Sequence, residues 1–178
     1  DATVVCPPGS TGEGMRLHIG FDLKRPGLDW VKITDEKGAE NLNRFGFRKG
    51  DLCIADRAYA LLSNLVAVIA QQAWFIVRIG WFRQPGLRLA DGQAMDIIAW
   101  LKHSAWRAQG EPFEQSVWLP NQDAAFRLVA RAIPEQAAEE VRRRLRKEAT
   151  KKGRTIDERS LIAAGFVLLV AQLQPSNA

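Results

Sequence analysis

Asp56 is the residue in this sequence best placed to do chemistry. It ends the run Gly50-Asp51-Leu52-Cys53-Ile54-Ala55-Asp56, a short apolar strand bounded by turn residues, and apolar residues at helical spacing follow it. A carboxylate at the carboxyl end of a buried strand, just ahead of a helix, occupies the ligand-binding rim of an open α/β sheet. The same position suits a helix cap, where a short side-chain oxygen accepts the first free backbone N–H groups. Position alone leaves both readings open. Arg57 and Tyr59 are its neighbours, and Arg78 lies inside a second apolar strand, where a buried guanidinium would need a carboxylate or phosphate partner. Asp1, on the first strand, reads by itself as an ordinary terminal acid.

The second chemical feature is a run of cations. The chain has 178 residues, with 25 Lys plus Arg against 20 Asp plus Glu, a formal charge of +5 and a pI near 9.6. Residues 142–154 hold Arg142, Arg143, Arg144, Arg146, Lys147, Lys151, Lys152 and Arg154 against Glu148, a net +7 that leaves the remaining chain at −2. Such a run can grip phosphates, and neutralising several makes binding steeply salt-dependent. It also fits a solvated helix face, supported by Glu139 to Arg143 and Glu140 to Arg144 at i,i+4 and by cations near the helix C-terminus. Trp74, Trp81, Trp100, Trp106 and Trp118 offer base-stacking surfaces, but large aromatics in small β cores mostly pack. Arg16 and His18 share one strand face, with His18 read as a packed or hydrogen-bonded histidine.

The elements that position these residues follow from period and punctuation. Residues 1–5, 15–23 and 28–34 read as strands of an antiparallel meander, separated by Pro- and Gly-rich turns. A short helix is expected over 39–45. The continuous apolar run at 50–56 has the pattern of a central strand covered on both faces. From Tyr59 the period becomes helical through Leu62, Val66, Ile69 and Ala73, and residues 74–79 return to strand, giving a parallel crossover unit. Residues 80–132 lack helical order except at 95–101 and read as a mostly β insertion. Pro134 opens a helix running to about Lys152, stopped by Gly153. Thr155 and Glu158 make a capping-box pattern for a short helix, and 166–173 is a late buried strand.

Composition closes off several classes. With 47% hydrophobic and 25% charged residues the chain is neither a disordered tail, a collagen-like fibre nor a disulfide-stapled miniprotein. Cys6 and Cys53 stand far apart in no metal-like spacing, which suits a reduced intracellular protein, and two histidines are too few for a typical zinc site. The mostly apolar residues 58–82 are interrupted by Ser63, Asn64, Gln71, Gln72 and Arg78, well short of the roughly 20 residues a membrane span needs. The start at Asp1-Ala2-Thr3 and the end at Gln174-Pro175-Ser176-Asn177-Ala178 read as cuts from something longer.

Asp1-Ala2-Thr3, then Met15-Arg16-Leu17-His18, then Thr34-Asp35 with Gly38-Ala39-Glu40, then Gly50-Asp51 leading into Asp56-Arg57-Ala58-Tyr59, then Phe75-Ile76-Val77-Arg78 together resemble the DDE transposases of bacterial insertion sequences, most closely the insertion-sequence-four type. The resemblance is strongest over residues 1–80; residues 126–173, including Lys151-Lys152-Gly153-Arg154, are similar but less diagnostic. Ala58 stands where the family usually has Gly, and Met15 where it usually has Trp.

The resemblance implies an α/β, RNase H-like (retroviral-integrase-like) core with a mostly β insertion. Residues 1–80 would form the first part of that core, 81–133 the insertion, and 134–178 a basic helix, a short helix and a late core strand. Asp1 and Asp56 are implied as the first two members of an Asp, Asp, Glu triad. Two carboxylates about 4 Å apart repel by roughly 4 kcal/mol at an effective dielectric near 20. Mg²⁺ or Mn²⁺ relieves this, and a pair of ions can serve an in-line phosphoryl displacement. The family's third carboxylate lies on a helix after the late strand, so the 178 residues are expected to be catalytically incomplete. Asp157 and Glu158 precede that strand and read as capping residues.

DNA contacts are expected from Arg57, Tyr59, Arg78, Arg143, Arg144, Lys147, Lys151 and Lys152. The implied partners are double-stranded DNA at terminal inverted repeats and a second protomer on paired ends. The implied location is the bacterial cytoplasm at the nucleoid, with no membrane. Two alternatives are a non-catalytic DNA-binding or scaffold remnant of the same fold, and an unrelated α/β enzyme such as a phosphatase. The distance between Asp1 and Asp56 separates them.

Overall fold

The computed structural model describes residues 2–6, 14–35, 38, 40–108 and 110–172. Alternating side chains build its first sheet. β1 (Ala2–Val5), β2 (Met15–Asp22) and β3 (Gly27–Asp35) pair antiparallel in chain order, the meander expected from the sequence. Side chains two apart share a face, and the two faces differ in kind. One shows Val5, Met15, Val31 and Ile33, all exposed. The other carries Arg16, His18, Gly20, Trp30 and Thr34, and His18 on it is fully buried.

Gly20 lets the next segment close onto that face. A Cβ there would come within 3.1 Å of the Phe45 ring, which itself lies 4.3 Å from Trp30. Phe45 follows a 3₁₀ turn, Leu42–Arg44, capped by Asn41 and shorter than the helix expected over 39–45.

The second sheet has the order β4-β5-β8-β7-β6, from β4 (Leu52–Ala55), β5 (Trp74–Arg78), β6 (Phe113–Trp118), β7 (Ala125–Ala132) and β8 (Phe166–Gln172). β4 and β5 run parallel through α1 (Leu62–Ala70), as the change of period predicts, and the other pairs are antiparallel. The register puts Phe75, Val77, Val170, Leu168, Leu128, Phe126 and Val117 on one buried face, with the Phe75 and Phe126 rings 5.8 Å apart. Leu65 and Val68 of α1 and Leu101 of α2 (Ile97–Ala108) complete this core. α2 extends beyond the short helix expected at 95–101, while β6 and β7 extend the same sheet as β8. The chain is therefore mixed α/β with two sheets.

Three sequence expectations are corrected. β4 is not a central strand: it lies at the sheet edge, with Leu52 48% and Ile54 60% exposed on either side of buried Cys53. Four apolar residues in a row look alike whether one face or both are covered. α4 (Glu158–Ala163) is capped not by Thr155 but by Asp157, whose carboxylate accepts the Arg159 N–H at 2.9 Å. On α3 (Glu135–Lys151), which follows Pro134 and stops before Gly153 as predicted, Glu139 pairs with Arg142 and Arg146 rather than Arg143. Only Ala138 of α3 is buried.

Asn64 fastens the two sheets' connecting segments together. It is 1% exposed; its Oδ1 accepts the Leu42 N–H at 3.0 Å and its Nδ2 donates to the Tyr59 carbonyl at 3.1 Å. Asn64→Ala strands the buried Leu42 N–H, whereas the Tyr59 carbonyl keeps the Leu61 N–H. The expected loss is about 2 kcal/mol, read as a lower urea midpoint with an unchanged m-value.

No helix among the described residues is long and apolar enough to cross a membrane. Residues 58–82 instead contribute the buried helix and strand expected of them. Both cysteines are free, and burial pushes the Cys53 thiol up to about 11, leaving it a packing group.

Candidate functional site

The candidate site sits at the carboxyl ends of β4 and β5. Ala55 pairs with Val77 across these parallel strands, so the next residue along each, Asp56 and Arg78, lie at one rim. Asp56 is exposed and caps a 3₁₀ turn, Arg57–Tyr59, by accepting the Ala58 N–H at 2.9 Å through Oδ1. Among the described residues Oδ2 has no hydrogen-bond donor. The capping reading of Asp56 is thus correct, and it leaves one carboxylate oxygen open for a ligand. Ala58 needs no glycine-like backbone: among the described non-glycine residues only Gln72 and Asn121 have positive φ.

Arg57 and Arg78 are both exposed, and neither forms an ion pair among the described residues. Arg78 therefore does not need the buried partner expected from its apolar surroundings. Tyr59 is 3% exposed, so its ring belongs to the core and only its hydroxyl could meet a ligand. Burial, then the charges of Glu40 and Asp56, push that hydroxyl up to about 12, keeping it protonated and able to donate. Asp1 lies outside the described residues, and its separation from Asp56 is not part of the geometry here.

Behind Asp56 the polar face of the meander closes over a set of basic groups. His18 Nε2 lies 2.9 Å from Thr34 Oγ1. Thr34 spends its one hydroxyl proton on the Asp35 carbonyl, so the His18 Nε2–H must donate and Nδ1 is a bare acceptor. That neutral tautomer agrees with a pKa below 6.5, lowered first by burial and then by the charges of Arg44, Arg16 and Lys32. An imidazole with a depressed native pKa is neutral in both states above 6.5, whereas below it the unfolded chain binds the proton first. Stability is therefore expected to fall as pH drops from 7 through the unfolded-state value. His18→Gln should flatten that part of a pH series of urea midpoints.

Arg44 was given no role by the sequence, nor was Asn64. Neither has a local spacing to Asp56 that announces a role. The only signal was the Arg16 and His18 pair on one strand face.

The cations of α3 divide into anchors, paired groups and free groups. Arg142 is an anchor: its Nε donates to the Leu161 carbonyl at 3.1 Å and its Nη1 reaches Glu135 at 2.6 Å. Arg143 and Arg144 both pair with Glu140, and Lys152 with Glu148. Lys147 and Lys151 are exposed and form no ion pair among the described residues. With Arg143, Arg146 and Thr150 they line a surface groove of ≈ 460 Å³. A neighbouring groove of ≈ 670 Å³ contains Glu139 and Glu140, which makes it the poorer seat for a phosphate.

Among the described side chains, Trp74, Trp81, Trp100 and Trp118 are each half-buried and do not form an exposed stacking row, while the Trp106 side chain lies outside the described residues. Trp81 and Trp100 pack partly buried against the core, Trp100 lies 4.9 Å from Phe113, and Trp81 Nε1 donates to Ser160 Oγ beneath the Arg159 guanidinium.

No group of three or more His, Cys, Asp or Glu able to hold a metal occurs among the described residues. Asp56 supplies a hard oxygen donor at the rim, the right chemistry for Mg²⁺ or Mn²⁺ but by itself not a complete ligand set.

Comparison with known proteins gives one clear relationship. No family model matches the chain, and no solved structure matches it. It is 31% identical over 180 residues to the transposase for insertion sequence element IS421 of Escherichia coli. The same identity and span hold for InsL of insertion sequence element IS186A of Escherichia coli strain K12. Each match covers 97% of this chain and 48% of the relative, so the chain spans about half the length of the curated relatives it matches. By this likeness over nearly its whole length, the chain belongs with the transposases of bacterial insertion sequences.

Proposed function

We propose that the chain forms the part of a DDE transposase that carries its first two acids and takes part in cutting and joining DNA phosphodiesters at the ends of a mobile element. The observation that carries this reading is Asp56, which keeps a free carboxylate oxygen at the β4 rim in a chain homologous to transposases. On this reading the core is RNase H-like. The meander followed by parallel β4 and β5 supports that, and residues 81–133 are an insertion whose strands extend the sheet. Among the described residues β1 and β4 lie in separate sheets, so the reading requires Asp1 to be brought beside Asp56.

Asp56, with Asp1, would hold Mg²⁺ or Mn²⁺. When bound, such an ion activates the attacking oxygen and stabilises the leaving one. The chain's own residues do the rest. Asp56 is fixed in direction by the Ala58 N–H, Arg57 and Arg78 offer unpaired cations to the DNA backbone at the same rim, and Lys147 and Lys151 add a second phosphate-binding stripe. The DNA is double-stranded terminal-repeat sequence, bound by two protomers on paired ends in the bacterial cytoplasm. The test is Asp56→Asn, assayed for Mg²⁺-dependent strand cleavage in a transposase carrying this chain and for Mn²⁺ broadening of the Ala58 amide resonance in the chain itself. Unchanged cleavage together with unchanged broadening overturns the reading.

A further inference from the structure

Among the described residues, three hydrogen-bond donors at the junction of the two sheets have no acceptor. Arg16 Nε, Arg44 Nε and the Tyr59 hydroxyl are all buried and unpartnered, although folded proteins rarely leave such groups unsatisfied. They reach the junction from three separate segments. Arg16 stands on the covered face of β2, opposite Thr34. Arg44 ends the 3₁₀ turn that Phe45 holds against Gly20 and Trp30. Tyr59 ends the turn that Asp56 caps, and Asn64 ties these two turns together.

Their segments meet: Phe45, next to Arg44, packs on Gly20 of the β2 face that carries Arg16, and Asn64 bonds both the Leu42 N–H and the Tyr59 carbonyl. The charge of Arg16 acts on both His18 and Tyr59, and that of Arg44 acts on His18. The Tyr59 N–H donates to the Asp56 carbonyl at 3.2 Å, which places Tyr59 in the same turn as the acid at the rim. Two guanidinium groups and a phenol held together without a bound acceptor favour an anion with several oxygens, and guanidinium matches phosphate in particular.

We propose that Arg16, Arg44 and Tyr59 form a cradle for the non-bridging oxygens of a DNA backbone phosphate next to Asp56. This rests on the transposase reading of Asp56, and it assigns to three further residues the task of setting the phosphate's position relative to that acid. His18 does not donate in this cradle: its free Nδ1 is an acceptor, and the ring forms part of the wall. Glu40, whose charge also reaches Tyr59, sets a limit on which anions enter, because only one able to recruit both guanidinium groups offsets it.

The experiment follows the Arg16 and Arg44 Nε–H resonances of the ¹⁵N-labelled chain during titration with a short duplex DNA and, in parallel, with inorganic phosphate. Both resonances should move with DNA, and Arg16→Gln should weaken DNA binding about tenfold or more. Tyr59→Phe guards against simple misfolding. Removing a buried hydroxyl that has no partner should raise Tm by about 2 to 4 °C while weakening DNA binding, opposite signs that a purely structural residue does not give. Shifts with inorganic phosphate but none with DNA would overturn the assignment to the DNA backbone. No shift with either ligand, while Lys147→Ala still weakens DNA binding, overturns the cradle and leaves the transposase reading standing. Failure of the unmodified chain to bind DNA or phosphate at all would overturn both.

Discussion

In a transposase carrying this chain, Asp56→Asn should leave the protein folded and reduce metal-dependent strand cleavage by on the order of 10³-fold. The substitution separates the two roles that Asp56 fills. As a cap, Asp56 uses Oδ1 to accept the Ala58 N–H, and the Asn side-chain oxygen can do the same. As a ligand it supplies negative charge, which Asn lacks. Asp56→Ala removes both, so it should lose about 1 kcal/mol of stability in addition to the activity. Urea unfolding and a cleavage assay on the same two variants resolve the roles. An Asn variant with full cleavage would reduce Asp56 to its cap.

The second large effect belongs to α3. Removing Arg143, Lys147 and Lys151 together should weaken DNA binding by about 10- to 100-fold near physiological salt and lower the slope of log K against log salt by about 2 to 3. Lys147 and Lys151 should account for most of the change, because Arg143 is already held by Glu140 and brings less free charge. The Arg143→Ala, Arg144→Ala pair, both drawn from Glu140's partners, should lower the slope by less than one. Binding isotherms at four or five salt concentrations distinguish these cases, and an unchanged slope in the triple variant would remove α3 from the DNA interface.

The parts of this molecule that are legible in its sequence are those governed by neighbours along the chain. The meander, the parallel β4-α1-β5 unit and α3 follow from local period, turns and end signals, and all are present. Asp56 was found because its place at the end of a strand is itself a local fact. What could not be read depends on tertiary placement. Leu52-Cys53-Ile54-Ala55 gives no sign that Ile54 faces outward, since nothing polar breaks the run. Asp157 and Thr155 both read as capping residues of α4, and the backbone direction at the helix entry decides for Asp157. Arg16, Arg44 and Asn64 acquire meaning only when three segments meet, because no spacing along the sequence links β2 to the two turns.

Among the described residues β4 has no strand on its outer side, which leaves that margin open to another chain. Its backbone amides and carbonyls on that side, flanked by two aliphatic side chains, can accept another strand without rearrangement. Two copies meeting by their β4 margins would close into a pair, so raising the concentration should increase the share of paired chains in size-exclusion chromatography, and a competing extended peptide should lower it.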